Sequence, residues 1–107
     1  MKVLNKKNFE EEVIQSKGTM LVDFFSETCE PCQALMPSIE EFADKYSGKI
    51  PFAKLDTAKA RRVAIGQKIL GIPVIAIYQD GEKVEELVKD DATPENVEAM
   101  IKNIFNG

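Results

Sequence analysis

Met20 to Phe25 is an apolar run broken only by Asp23, and it leads within four residues into Cys29-Glu30-Pro31-Cys32. A run this short and this apolar suits a central strand covered on both faces. Such a strand needs helices on both sides of its sheet, which constrains the chain to an α/β layered architecture. Asp23 within that strand is costly unless its carboxylate is paired or protonated. Cys29 and Cys32 are the only cysteines. Two thiols at this spacing, at the start of a helix, are able to close a small disulfide and reopen it.

The remaining elements arrange themselves around that strand. Lys2-Val3-Leu4 predicts a short first strand. Phe9, Val13 and Ile14 share one helical face, with Asn5 or Asn8 as cap and Gly18 beyond the end. After the cysteines, Leu35, Ile39, Phe42, Ala43 and Tyr46 line one side of a long helix that Ser47-Gly48 stops and Pro37 should kink. Ile50 to Leu55 reads as a third strand, and Asp56 as the cap of a helix over Thr57 to Gln67. Val74 to Tyr78 and Lys83 to Val88 are strands joined around Asp80-Gly81, a strong hairpin signal. Thr93-Pro94 opens a last helix carrying Val97, Met100, Ile101, Ile104 and Phe105 at core spacing. The order β-α-β-α-β-α-β-β-α implies a five-stranded mixed sheet flanked by four helices, a single domain over residues 1–107.

Composition removes several functions. No apolar run approaches the ~20 residues of a membrane helix, and Met1-Lys2-Val3-Leu4-Asn5 lacks the pattern of an export signal. The 14 basic and 18 acidic residues are interspersed, so no membrane or nucleic-acid partner is expected. Lys59, Arg61 and Arg62 read as a solvated helix face. The absence of histidine excludes imidazole catalysis, and two thiols alone fall short of a tetrahedral metal site. No metal or other cofactor is expected beyond the dithiol itself. The short loop between the cysteines restrains little chain, so a reversible pair in a cytoplasmic setting is a better reading than a structural staple.

The sequence resembles the thioredoxin family nearly end to end. The resemblance is carried by Val22-Asp23-Phe24-Phe25-Ser26, Cys29-Glu30-Pro31-Cys32, Phe52-Ala53-Lys54-Leu55-Asp56, Gly71-Ile72-Pro73 and Asp80-Gly81. It implies a thioredoxin fold and a thiol–disulfide oxidoreductase that reduces protein disulfides and is itself reduced by a thioredoxin reductase or another dithiol donor. A cysteine near a helix N-terminus meets unpaired N–H groups and the positive dipole end, both favouring the thiolate. Cys29, the outer thiol, is the expected nucleophile and Cys32 the resolving thiol. The resemblance makes Asp23 a proton acceptor for Cys32, with Lys54 close by. It also makes the Ile72–Pro73 bond cis, opposite the disulfide, with the Ile72 backbone pairing to an extended substrate segment. Thr28, Glu30, Pro31, Ile72, Pro73 and Lys89 are the expected substrate-binding positions.

The chain departs from the usual Trp-Cys-Gly-Pro-Cys-Lys motif at Thr28, Glu30 and Gln33. Thr28 lacks a large apolar contact beside the nucleophile. Glu30 disfavours the Cys29 thiolate and so makes the pair slightly more reducing, by no more than about 10–20 mV. Lys89 stands where the family usually has glycine in the binding groove, and Asp90-Asp91-Ala92 adds one residue after it. These changes suggest a dedicated reductase or target. Three alternatives stand beside this reading: glutaredoxin-like use of glutathione, a binding module or subunit in which redox is incidental, and a metal site shared across a dimer. With no apolar helix face left exposed, a monomer is expected.

Overall fold

The central position of the Met20–Phe25 run follows from its burial on both faces. A computed structural model describes residues 1–106. Its five strands are β1 (Lys2–Leu4), β2 (Thr19–Phe25), β3 (Phe52–Asp56), β4 (Val74–Gln79) and β5 (Glu82–Val88). They form one sheet in the order β1-β3-β2-β4-β5. β1, β3 and β2 run parallel, while β4 lies antiparallel to both β2 and β5. This is the mixed sheet that the element order implies.

Alternation along β2 separates two cores. Met20, Val22 and Phe24 face Leu4, Phe9, Val13 and Ala64 on one side of the sheet. Leu21 faces Leu35, Ile39, Phe42, Val97 and Ile101 on the other, beneath α1 (Glu30–Lys45) and α3 (Pro94–Asn106). The first side is covered by a π-type turn at Glu10–Ile14 and by α2 (Arg61–Gly66). Four helical segments therefore flank the sheet. Phe9, Phe24 and Tyr78 pack with ring centroids 6.3–6.4 Å apart.

Several boundaries differ from the sequence reading, for local reasons. Pro51 has no N–H for the ladder, so β3 starts at Phe52, although the Pro51 carbonyl still accepts from the Leu21 N–H. The helix expected over Thr57 to Gln67 begins only at Arg61. Asp56 Oδ1 accepts from the Ala58 N–H in a local turn, and Thr57 donates from both its N–H and Oγ1 to the Phe25 carbonyl. Those bonds hold residues 57–60 out of the helix. A single 3₁₀ turn at Lys89–Asp91, absent from the sequence reading, links β5 to α3. α1 continues through Pro37 to Lys45.

Candidate active site at the start of the second long element

β2 delivers the chain to the redox pair through a short polar loop. Ser26 is buried, and its carbonyl accepts from the Cys29 N–H at 3.2 Å and from Gln33 Nε2 at 3.0 Å. Its Oγ accepts from the Thr28 N–H at 3.3 Å and lies 3.1 Å from Thr28 Oγ1. Neither Ser26 nor Gln33 stood out as a positioning residue in the sequence. The available signal was Ser26-x-Thr28, a spacing at which hydroxyls bond to nearby backbone.

Cys29 is the N-cap of α1, with φ −89° and ψ 106°, and Pro31 sits in the first turn. The Cys29 sulfur accepts from the Cys32 N–H at 3.3 Å. The two cysteines are joined as a disulfide with Cα atoms 5.2 Å apart. Cys29 is partly exposed, whereas Cys32 is 1% exposed. An N-capping sulfur directed at free helix N–H groups is well placed to carry negative charge.

Asp23 shares its sheet face with Leu21, so it lies on the α1 side. Its neighbours across the ladder are Lys54 on β3 and Ile75 on β4. It is 2% exposed, and burial pushes its pKa up to about 7, while the charge of Lys54 opposes that rise. Lys54 makes no direct ion pair with it among the described residues. Instead its ammonium lies 5.8 Å from the centre of the Phe25 ring and lines a cavity of about 450 Å³ with Gln33, Met36 and Asp56.

The Ile72–Pro73 bond is cis, as the resemblance implies. Two depressions flank this dipeptide. One, of about 280 Å³, brings Pro73 together with Pro31, Leu35, Lys89 and Asp90. The other, of about 320 Å³, places Ile72 with Ser26, Arg61, Ile65 and Ile69. Lys89 adopts φ 52°, donates its N–H to the Pro73 carbonyl at 2.7 Å, and lays its side chain over Gly71. Thr28 and Glu30 are exposed beside the disulfide. Lys54 thus stands apart from the groove positions, on the cavity side of the motif. No group of three or more potential metal ligands occurs among the described residues.

A thioredoxin family model matches residues 1–103. The chain belongs to the thioredoxin family. A thioredoxin from Acetoanaerobium sticklandii is 60% identical over 99 residues, covering 92% of this chain and 94% of the relative. One from Peptoclostridium acidaminophilum is 56% identical over 98 residues, covering 92% and 89%. Thioredoxin C-2 of Corynebacterium nephridii is 34% identical over 82 residues, covering 77% and 76%. With a thioredoxin fold and a Cys29–Cys32 disulfide at the helix start, the chain is a thiol–disulfide oxidoreductase. No described helix is long and apolar enough to cross a membrane.

Proposed function

We propose that Cys29 is the attacking thiol and Cys32 the resolving one in the reduction of protein disulfides. The observation that carries this assignment is their unequal exposure at one helix terminus: Cys29 is accessible at the cap and Cys32 buried behind it. The Cys29 thiolate attacks one sulfur of the target disulfide and expels the other as a thiolate, giving a mixed disulfide. Cys32 then passes its proton to Asp23, and its thiolate attacks Cys29 Sγ. The Cys29–Cys32 disulfide forms, and the target leaves with two electrons and, after protonation, two thiols. An Asp23 pKa near 7 leaves a useful share of carboxylate at neutral pH, and Lys54 increases that share. An external dithiol donor, such as a thioredoxin reductase, returns the two electrons.

In this reading an extended target segment pairs with the Ile72 backbone across the disulfide, and Thr28, Glu30, Pro31, Pro73 and Lys89 contact it. Lys89 and Glu30 place opposite charges on the groove, which supports a dedicated donor or target. A cytoplasmic setting fits a chain whose only two cysteines form the redox pair.

Trapping tests the assignment. Cys32→Ser should accumulate a stable mixed disulfide with a model disulfide protein on non-reducing gels, and Cys29→Ser should accumulate none. The reverse pattern would exchange the two roles. A reduction potential near the thioredoxin value of about −270 mV supports a reductant, and one near about −120 mV would make the protein an oxidant instead.

A further inference from the structure

A third depression lies beyond Arg61, away from the disulfide. It encloses about 560 Å³ and is lined by Lys6, Lys7, Lys59, Arg61 and Arg62 together with Ala58, Ala60 and Val63. The sequence reading of Lys59, Arg61 and Arg62 as one solvated helix face does not describe it. Two separate pieces of chain converge here: the turn after β1, and the continuous stretch from Ala58 into α2. The turn is held by reciprocal bonds, with Asn5 Oδ1 accepting from the Lys7 and Asn8 N–H groups and Asn8 Oδ1 from that of Asn5.

The charge is one-sided. Five of the chain's 14 basic residues line the depression, and none of its 18 acidic residues does. Only Lys59 has a carboxylate within ion-pair distance among the described residues, Glu27 at 3.7 Å, and that pair is largely exposed. Such a cluster repels itself and is relieved by an anionic partner. A long polyanion such as nucleic acid would meet the acidic surface of a chain whose net charge is −4. A short acidic stretch fits the local character of the patch better.

The position indicates whose acidic stretch it is. Arg61 and Ala58 line both this depression and the adjoining one that holds Ser26 and Ile72. Ile65, which lines the second of these beside Ile72, is 66% exposed. The two depressions therefore meet at Ala58 and Arg61, which sets the basic one next to the redox face. Accepting the redox reading above, we propose that the depression docks an acidic segment of the redox partner protein while the partner's disulfide or dithiol engages Cys29. Docking of this kind raises the encounter rate and selects partners by charge.

The test uses two synthetic cyclic disulfide peptides, identical except for an oligoglutamate or an oligoglutamine tail. The reduced protein should reduce the glutamate-tailed peptide about fivefold to tenfold faster at ~50 mM salt, with the advantage falling below about twofold at ~0.5 M. The triple variant Lys6→Gln, Lys7→Gln, Arg62→Gln should lose the advantage while reducing the glutamine-tailed peptide at the wild-type rate. That unchanged rate also reports an intact fold. Equal rates for the two peptides in the wild type would overturn the proposal, as would an advantage that survives the triple variant. Failure of the wild type to reduce the glutamine-tailed peptide would instead overturn the redox reading. Amide shifts induced by a cysteine-free oligoglutamate peptide test the docking independently: they should cluster at Lys6, Lys7 and 59–62. Stronger shifts there with an oligothymidylate would assign the patch to nucleic acid.

Discussion

In the mechanism proposed above, Asp23 joins proton transfer to stability at a single residue. Its folded-state pKa of about 7 exceeds the ordinary 3.8, so between those values the folded protein holds more protons than the unfolded chain. Stability therefore falls as pH rises from about 4 to about 7, because ionising the buried carboxyl is unfavourable. Asp23→Asn removes this effect. The variant should exceed the wild type by roughly 2–4 kcal/mol in urea unfolding at pH 8, and by little near pH 4. The same variant should slow release of the mixed disulfide by about tenfold or more at neutral pH, as single-turnover quenching would reveal. Lys54→Met should move the Asp23 titration upward, since it deletes the cation that favours the carboxylate; carboxyl carbon shifts would follow this, and an unchanged midpoint would remove Lys54 from the site. Asp23 and both cysteines were legible in the sequence because their chemistry conflicts with their surroundings. Ser26 and Gln33 were not, since their roles depend on one carbonyl whose direction the loop alone decides.

Among the elements, β2, β4 and α3 were readable from periodicity, because continuous or regularly spaced burial leaves few alternatives. α2 was not. Asp56 serves equally as a helix cap or as the acceptor of a turn, and the tie of Thr57 to Phe25 decides between them. The hairpin signal at Asp80-Gly81 was read correctly, but its tertiary burden was hidden. Gly81 has φ +86°, and a Cβ there would run into the Ile14 carbonyl of the neighbouring π-type turn. Gly81→Ala should cost about 2 kcal/mol or more, measured by thermal unfolding. The link from β5 to α3 behaves differently. Lys89 holds a left-handed conformation that glycine adopts freely. Lys89→Gly should leave stability unchanged or raise it by up to about 1 kcal/mol, while opening the groove beside Pro73 to a wider set of disulfide substrates. At Gly71 an added methyl would meet only the flexible end of Lys89. Gly71→Ala should therefore fold normally and change substrate preference by moving that ammonium.

Across the whole molecule, one sheet divides two cores and places the redox pair where the central strand hands over to α1. The mixed sheet was predictable, since parallel crossovers in the first half and a tight hairpin in the second permit little else. What escaped sequence reasoning was the convergence of distant segments: Lys6 and Lys7 beside Arg62, and Pro31 beside Lys89. Charges far apart in sequence carry no pattern until the fold joins them. The ion pairs found between Lys2 and Glu12 and between Lys45 and Glu98 involve exposed lysines, so high salt should alter the melting temperature little even as it suppresses the charge-selective reduction proposed above.

The sulfur that caps α1 is also the atom that attacks the target disulfide in the mechanism proposed above. The hydrogen bond that this sulfur accepts from the Cys32 N–H is present in the disulfide and should strengthen when reduction leaves Cys29 as a thiolate. The first turn of a 16-residue helix thus carries a record of where the protein stands in its cycle. Solvent exchange of that single amide proton would read this record directly, with no dye, label or substrate analogue.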